Sequence, residues 1–206
     1  MPVPPTIALA TRNEHKIREI ERICADWGAT WLTVRNADPA SFREVDETED
    51  DYLGNALLKA RAVAAGIGEP ALADDSGIEV DALGGKPGPL SARFAGGRAS
   101  DAQNLAALLG ALKGVPAGGR TARYRCVAVL AMPDGEATYA EGVCEGTLLT
   151  KPRGERGFGY DPIFVPAGWE SAMAELTDEQ KDRISHRGRA FRALRDLLEP
   201  GLPTSR

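Results

Sequence analysis

The sequence predicts an α/β fold with a mixed β-sheet, and three observations support this fold class. In the first half of the chain, short apolar runs alternate with segments of helical periodicity, as in strand–helix units. A long β-hairpin follows, with Asp134 and Gly135 at its tip. The 206 residues are enough for one sizeable core, and no obvious internal repeat divides them. We therefore predict a single domain over residues 1–206, with a central mixed sheet flanked by helices.

The first elements are a strand, a helix and a second strand. The run TIALAT predicts a buried strand that stops at Arg12, and Asn13 is placed to cap the helix that follows. The apolar face of that helix carries Ile17, Ile20, Ile23, Cys24 and Trp27. The segment TWLTVR alternates as a second strand. After an acidic loop, a second helix begins near Leu53 and ends near Gly66 and Gly68.

The segment PALADDSGIEVDAL predicts two strands that meet at Asp74 and Asp75. Successive strand residues point to opposite faces, so two adjacent carboxylates within one strand would bury a charge. We therefore place the pair at a strand end, with Ser76 and Gly77 turning the chain. Carboxylates there could hold Mg²⁺, which prefers oxygen ligands. An Asp-rich turn bonded to its own backbone is the alternative, and the residues alone favour it.

The remaining elements are an irregular loop, a helix, the hairpin, a short strand and the C-terminal helices. The segment GGKPGPLSARFAGG predicts the loop, and Ser100 or Asp101 begins the helix. The hairpin strands are RTARYRCVAVLAM and EATYAEGVCEGTLL, and GERGFGYDPIFVP predicts a Gly-rich loop that feeds a short strand. Thr177 and Gln180 have the spacing of a capping box, and a final helix ends before Pro200.

Composition limits the classes of function. The formal charge of −5 argues weakly against nucleic acid as the main partner. No segment approaches the roughly 20 apolar residues of a membrane span, and the N-terminus lacks the pattern of a signal peptide. The three cysteines show no CxxC spacing, which favours buried thiols in a reducing compartment. We therefore expect a cytoplasmic protein.

Two segments carry charges suited to phosphate and metal ions. In ATRNEHK, a helix N-terminus with Lys16 one turn in favours an anion, although a capped helix start with Lys16 in solvent explains the segment equally well. The segment is not a Walker A loop, because G-x-x-x-x-G-K-[ST] is absent. In EVDETEDD, Glu44, Glu47 or Glu49 could supply a further metal ligand, although such a charge run is usually a solvated loop.

Aromatic and basic residues in the last third of the chain are suited to binding a nucleobase. The loop GFGYDP can lay one of its aromatic rings against a planar base while Asp161 accepts a hydrogen bond, although either ring is equally suited to the core. His186 and Arg187 come just before the last helix. Because His15 is the only other histidine, a His-based metal cluster is nearly excluded. A serine hydrolase is disfavoured, since G-x-S-x-G is absent.

The chain resembles the inosine/xanthosine triphosphate pyrophosphatases, the Ham1-like family, in a set of motifs that occur in the family's order: ATRNEHK, NALLKA, ALADDSGIEVDALGGKPGPLSARFAG, GFGYDPIF and AELTDEQKDRISHRG. The resemblance runs from about Ile7 to about Leu198. It implies an elongated two-lobed α/β fold with an active cleft between the lobes, and a homodimer. It also implies Mg²⁺-dependent hydrolysis of deaminated purine nucleoside triphosphates (ITP, dITP and XTP) to the monophosphate and pyrophosphate.

The same resemblance implies roles for individual residues. Asp75 is the implied catalytic carboxylate and, together with Glu47, an implied metal ligand, and Ser76 is the neighbour that contacts substrate. The implied phosphate-binding segment comprises Thr11, Arg12, Asn13, Glu14, His15 and Lys16. The implied contacts around the base are Phe158, Gly159, Tyr160, Asp161, Lys181, His186 and Arg187.

The sequence departs from the family pattern at a few of these positions. Arg12 and His15 stand where the family often has glycine, and a non-glycine residue restricts the backbone. The usual Glu-x-Gly after the acidic loop reads Glu-Thr-Glu over residues 47–49, and Gly54 stands where a Glu commonly precedes Asn55. These departures make the alignment of Glu47 less secure than that of Asp75.

The residues fit a mechanism for this reaction. We expect Asp75 to position or deprotonate the attacking water, while Mg²⁺ and Lys16, with Arg12 and Lys181 as further candidates, neutralise phosphate charge. Asp74 is either a further metal contact or a group that orients Asp75. Arg187 only donates hydrogen bonds, so it suits the C6 carbonyl of hypoxanthine or xanthine and leaves the C6 amino group of adenine badly paired.

Two other functions fit parts of the sequence. A Mg²⁺-dependent phosphatase acting on monoesters would use the same carboxylates and release orthophosphate. A nucleotide- or RNA-binding module would use GFGYD for stacking and KDRISHRGRAFR as a basic patch, without turnover. Neither function accounts as well for an acidic pair between apolar strands.

Overall fold

The computed structural model describes residues 6–25, 33–36, 45 and 49–198. The strands are β1 (Thr6–Leu9), β2 (Thr33–Asn36), β3 (Ala71–Val80), β4 (Thr121–Ala131), β5 (Ala137–Leu148) and β6 (Phe164–Pro166). The helices are α1 (Glu14–Ile23), α2 (Tyr52–Ile67), α3 (Asp101–Ala111), α4 (Asp178–Ile184) and α5 (His186–Leu198).

The described strands form one sheet in the order β2-β1-β3-β4-β5-β6. β1 is parallel to both β2 and β3, with Leu9 opposite Asn36 on one side and Leu72 on the other. β4 and β5 are neighbours joined only by residues 132–136, a connection too short for a parallel pair. β6 is antiparallel to β5, with Thr147 opposite Val165. The predicted mixed sheet and hairpin are therefore confirmed.

The chain divides into two compact units. The first contains the described residues of Met1–Asp75, Cys126–Gly142 and Arg187–Arg206, and the second contains Ser76–Arg125 and Val143–His186. The assignment of residues 1–206 to a single domain stays a prediction.

The first unit packs helices on both faces of its strands. On one face, Ile20 of α1 and Phe191 of α5 share a buried core with Leu72 of β3. On the other face, Ala60 of α2 belongs to a separate core that contains Ala73. Because side chains alternate along a strand, neighbouring residues of β3 belong to opposite layers.

The second unit has its own core around β4, β5 and β6. Its buried members include Ile78, Leu108, Tyr124, Cys144 and Phe164. Tyr124 and Phe164 meet edge to face, with ring centroids 4.7 Å apart. This core includes Tyr160 of the loop GFGYDP, and Ile184 of helix α4 packs against it. The loop and α4 carry the predicted base contacts other than His186 and Arg187.

The helix boundaries follow local capping signals. The Asn13 side chain caps α1, and Ser100 and Thr177 complete capping boxes at the starts of α3 and α4. Gly66 lies inside α2, and Gly68 ends that helix with φ +70°, the left-handed conformation that glycine adopts without strain. Trp27, which we predicted on the apolar face of α1, lies outside the described residues.

The prediction of two strands that meet at a turn is wrong. β3 runs unbroken through the acidic pair, from Ala71 to Val80. Gly77 serves close packing, because a Cβ there would lie 2.2 Å from the carbonyl oxygen of Gly88 and 2.6 Å from Ser91 Oγ. The predicted irregular loop also contains a short 3-10 helix, Gly88–Arg93, against which this part of β3 packs.

Two compositional expectations can be compared with the described residues. Cys24, Cys126 and Cys144 are buried thiols, as predicted. Among the helices given above, none is long and apolar enough to cross a membrane.

Candidate active site

Asp74 and Asp75 are adjacent on β3 and belong to opposite layers of the first unit. Asp74 contacts side chains of α1 and α5, whereas Asp75 contacts side chains of α2. Both residues are buried, with 2% and 4% of their surface exposed. Unpaired buried carboxylates would be costly, but each of these two is paired with a cation. That pairing allows the strand to continue through both residues.

Asp75 is held by two side chains of α2. Lys59 Nζ donates to Asp75 Oδ1 at 3.0 Å, and Asn55 Nδ2 donates to Oδ2 at 3.4 Å. Asn55 and Lys59 are four residues apart, so they lie on the same face of the helix. The carboxylate is therefore fixed in orientation by the protein itself.

Asp74 is the centre of a buried ion network. Arg187 donates to Asp74 Oδ2 from Nε at 3.2 Å and from Nη2 at 3.0 Å, and its Nη1 donates to Glu19 Oε2. Lys16 Nζ lies 3.1 Å from the same Asp74 oxygen. The Arg187 side chain is only 1% exposed. A network this desolvated is stable only while all of its charges stay paired.

The cations around Asp74 lower its pKa below the ordinary value. Burial raises the pKa of this carboxyl, but the charges of Lys16, Arg187 and Lys59 lower it by more. Burial also raises the pKa of the Cys126 thiol, and there the nearby Asp74 charge raises it further, so the pKa of the thiol lies above its ordinary value. The thiol therefore stays protonated and donates to Asp74 Oδ2 across 3.8 Å.

The lowered pKa of Asp74 predicts a pH-dependent contribution to stability. A carboxyl with a lowered pKa in the folded state stabilises the fold above its unfolded pKa, about 3.8, and this stabilisation is lost as the pH falls further. We expect Asp74→Asn to lower the free energy of unfolding by about 3 kcal/mol at pH 7. Urea unfolding at pH 7, 5 and 3 should show the difference from wild type shrinking below about pH 4.

The exposed Asp196 provides the control, and Asp196→Asn should leave the unfolding free energy within about 0.5 kcal/mol of wild type at each pH. A difference between wild type and Asp74→Asn that is the same at pH 7 and pH 3 would contradict the assignment.

The predicted phosphate-binding segment, residues 11–16, forms the junction of β1 and α1. Asn13 Oδ1 accepts hydrogen bonds from the backbone N–H groups of His15 and Lys16, at 2.9 and 3.2 Å. Thr11 Oγ1 accepts from the Asn13 N–H at 3.2 Å. The capped helix start is therefore confirmed, but Lys16 is paired with Asp74 and does not extend into open solvent. Phosphate binding by this segment stays a prediction.

Arg12 and His15 are exposed and adopt ordinary backbone conformations. None of the non-glycine residues that the structure describes has a positive φ. The backbone restriction expected where the family often has glycine therefore causes no left-handed strain here. Glu14 is also exposed, and its ion pair with Arg18, at 3.7 Å between well-solvated side chains, contributes little to stability.

The predicted metal ligand Glu47 lies outside the described residues, as does Glu44. Glu49, the third candidate, is exposed, and its backbone N–H and carbonyl are both hydrogen-bonded to the Asn55 side chain, at 3.1 Å each. Asn55 therefore connects the end of the acidic loop to Asp75. Over the described ranges, no group of three or more His, Cys, Asp or Glu side chains could hold a metal ion.

The donor set is nevertheless compatible with Mg²⁺. This ion usually takes one or two protein carboxylates and completes its octahedron with water and substrate phosphate oxygens. Asp75 supplies one such carboxylate. Asp74 Oδ1 is buried and has no hydrogen-bond partner among the described residues, but Asp74 belongs to the opposite layer, so a water molecule there would satisfy this oxygen apart from an ion at Asp75.

In the second unit, Asp161 is hydrogen-bonded to two of the other predicted base contacts, Lys181 and Phe158. Lys181 Nζ and the Phe158 N–H donate to Oδ2 at 2.5 and 2.9 Å, and Tyr124 Oη donates to Oδ1 at 3.2 Å. Gly157 has φ +72°, and a Cβ there would lie 2.1 Å from Asp161 Oδ2. Both oxygens of the carboxylate thus accept hydrogen bonds from the protein, so Asp161 organises this loop.

The two aromatic rings of GFGYDP have different environments. Tyr160 is 4% exposed and donates from Oη to the Ser91 carbonyl at 2.8 Å, and burial raises the pKa of its phenol. Phe158 is half-buried, with Lys181 Nζ 4.9 Å from its ring centroid, in cation–π geometry. Of the two alternatives for these rings, Tyr160 is a core residue, and Phe158 is the ring that retains exposed surface. Between them, the Gly159 N–H donates to Asp101 Oδ2 at 2.8 Å.

His186 and Ser76 are the remaining predicted site residues of the second unit. His186 is 5% exposed, and its imidazole stacks on the Tyr124 ring with centroids 4.6 Å apart. Ser76 is half-buried on β3, directly after Asp75. Substrate contact by these residues stays a prediction.

The structure thus brings together Lys16, Asp74 and Arg187 in the first unit, and Phe158, Asp161 and Lys181 in the second. Sequence reasoning missed the partners that hold them, which are Glu19, Asn55, Lys59 and Tyr124. A signal was available for the α2 pair, because NALLKA places an amide and an amine four residues apart on a helix. No comparable local signal marks Glu19 or Tyr124.

Comparison with known proteins identifies the family of this chain. The Ham1 family model matches residues 7–197. A dITP/XTP pyrophosphatase of Desulforamulus reducens is 46% identical over 192 residues, which are 93% of this chain and 94% of that protein. The Ham1 protein of Staphylococcus aureus has a similar structure, with a TM-score of 0.81 and 37% identity over 94% of this chain and 97% of its own. A nucleoside-triphosphatase / dITP/XTP pyrophosphatase of Mycobacterium abscessus has a TM-score of 0.73 and 42% identity, covering 94% of this chain and 100% of its own. The chain therefore belongs to the Ham1 family.

Proposed function

We propose that this protein hydrolyses dITP, XTP and ITP to the nucleoside monophosphate and pyrophosphate. The observation that carries the proposal is the buried Asp75 carboxylate, held by Lys59 and Asn55 in a chain of the Ham1 family. Relatives that are 41 to 48% identical to this chain are named dITP/XTP pyrophosphatases. Cytoplasmic location and homodimerisation stay predictions.

The proposed chemistry is attack of water on the α-phosphorus with pyrophosphate as the leaving group. Asp75 positions the water and accepts its proton, and the fixed orientation of its carboxylate places the acceptor before substrate binds. Lys59, at 3.0 Å from Asp75, supplies positive charge beside this carboxylate. Lys16 and the exposed Arg12 offer further cations for the triphosphate.

Mg²⁺ would be held by Asp75 and by Glu47 of the acidic segment EVDETEDD. It would neutralise phosphate charge and stabilise the leaving pyrophosphate. The support from the described residues is the Asp75 carboxylate, whose oxygen atoms are of the type that this ion prefers.

Arg187 is the proposed discriminator between bases. Its three hydrogen bonds to Asp74 and Glu19 fix the guanidinium plane. A guanidinium donates and never accepts, so it suits the C6 carbonyl of hypoxanthine and xanthine and disfavours the C6 amino group of adenine.

A substrate panel tests the proposal. With Mg²⁺ present, kcat/KM for dITP and XTP should exceed that for dATP by about 100-fold or more, and the product should be pyrophosphate. EDTA should abolish turnover, and added Mg²⁺ should restore it. In Arg187→Lys, which keeps a cation for Asp74 and Glu19 but loses the planar fork, the ratio of dITP to dATP turnover should fall by about tenfold.

Each arm of the panel can contradict the proposal. Release of orthophosphate from monoesters would identify a phosphatase instead. Nucleotide binding with steep salt dependence and no turnover would identify a binding module. An unchanged dITP to dATP ratio in Arg187→Lys would remove Arg187 from base selection.

A further inference from the structure

Tyr124 of β4 links two of the proposed base contacts in the second unit. Its hydroxyl donates to Asp161 Oδ1 at 3.2 Å, and its ring lies parallel to the His186 imidazole, with an interplanar angle of 9° and centroids 4.6 Å apart. We propose that Tyr124 is a positioning residue that sets the binding geometry for the purine base. The inference rests on the proposed function and adds to it a residue outside the motifs that pointed to the site.

The hydroxyl of Tyr124 completes the set of donors around Asp161. The other oxygen of that carboxylate, Oδ2, accepts from Lys181 Nζ and from the Phe158 N–H. A carboxylate with donors on both oxygens cannot rotate without breaking a hydrogen bond in a buried site. The bond from Tyr124 therefore fixes the orientation of Asp161.

Fixing Asp161 also fixes the groups that it binds. Lys181 is buried, and its ammonium donates to the Asp161 carboxylate and lies 4.9 Å from the centroid of the Phe158 ring. Loss of the Tyr124 hydrogen bond frees the carboxylate to turn, and the Lys181 ammonium and the Phe158 loop turn with it. The half-exposed Phe158 ring is the surface on which we expect a base to lie.

The ring of Tyr124 contributes a separate restraint. It is 7% exposed and is held edge-on by Phe164 at 4.7 Å, so it is part of the core of the second unit. Because the core holds the Tyr124 ring in place, its stack on His186 restrains the orientation of the imidazole. Phenylalanine would keep both ring contacts and lose the hydroxyl, so Tyr124→Phe removes the hydrogen bond to Asp161.

The experiment compares substrate binding with binding of a base-free competitor. For Tyr124→Phe we expect KM for dITP to rise about tenfold, because a buried hydrogen bond to a charged acceptor is lost, while kcat changes less than about threefold. The inhibition constant of inorganic tripolyphosphate, which carries phosphate charge but no base, should be unchanged. This combination is expected if only the base site is altered. A general loss of structure would raise both KM for dITP and the inhibition constant of tripolyphosphate.

Tyr139 provides a matched control, since it is 47% exposed on β5, and Tyr139→Phe should leave all three constants at their wild-type values. An unchanged KM in Tyr124→Phe overturns the inference, and so does an equal rise in KM and in the tripolyphosphate inhibition constant. Failure of the wild-type protein to hydrolyse dITP refutes the proposed function itself, and it is observed before any variant is compared.

Discussion

The Asp75→Asn variant is expected to lose at least about 10³-fold in kcat for dITP while remaining folded. Asparagine has the size of aspartate and keeps an oxygen that can accept from Lys59 Nζ, which lies 3.0 Å from Asp75 Oδ1 in the wild type. It carries no negative charge, so it cannot take a proton from water, and its neutral oxygen is a weaker ligand than a carboxylate for a divalent cation. Release of pyrophosphate under saturating substrate measures the loss.

Thermal unfolding, followed alongside activity, establishes that the Asp75→Asn variant is folded. The exposed Asp196 on α5 gives a matched substitution, and Asp196→Asn should retain wild-type kcat. Turnover by Asp75→Asn within tenfold of the wild-type rate would remove this carboxylate from the mechanism. Loss of activity accompanied by unfolding would be answered by Asp75→Glu, which should restore part of the activity if charge at this position is what matters.

The largest expected effect on stability is that of Arg187→Met. The guanidinium is 1% exposed and bonds to both Asp74 and Glu19, so its removal leaves two buried carboxylates short of a partner. We expect the free energy of unfolding to fall by about 3–5 kcal/mol. Urea unfolding at pH 7 provides the measurement.

A second substitution separates loss of charge pairing from loss of packing. Adding Glu19→Gln to Arg187→Met removes one of the uncompensated charges and should recover part of the lost stability. On the same helix, Arg189→Met replaces an exposed arginine and should cost less than about 1 kcal/mol. A cost for Arg187→Met that is as small as this control would show that the buried ion network is not a source of stability.

The acidic pair shows what the sequence could indicate and where prediction from it failed. Two adjacent aspartates between apolar segments indicated a candidate site, and the structure places Lys59 Nζ 3.0 Å from Asp75. The catalytic role of Asp75 stays a prediction. The predicted turn at this pair was wrong. It assumed that an unpaired carboxylate would be buried in a continuous strand, but side chains of α1, α2 and α5 pair with both carboxylates. Those partners are distant in sequence, and no local pattern indicates that they neutralise β3 from both faces.

The phosphate-binding segment and the base loop show the same division. Asn13 acts through backbone groups two and three residues away, so its capping role could be predicted from the sequence. The sequence could not predict that Tyr160 lies in the core while Phe158 stays partly exposed. That outcome depends on the hydrogen bond from Tyr160 to the Ser91 carbonyl, 69 residues away in the chain.

The sequence by itself determined the mixed α/β fold, the hairpin, the helix caps and membership of a family. Hydrophobic periodicity and helix capping involve residues close together in the sequence, and the family motifs are recognised by their order along the chain. Only the tertiary structure decided that Asp74 and Asp75 serve different layers, one with Lys16 and Arg187 and the other with Lys59 and Asn55. The physical reason is that a buried charge takes its stability from partners, and partners are chosen by packing in three dimensions.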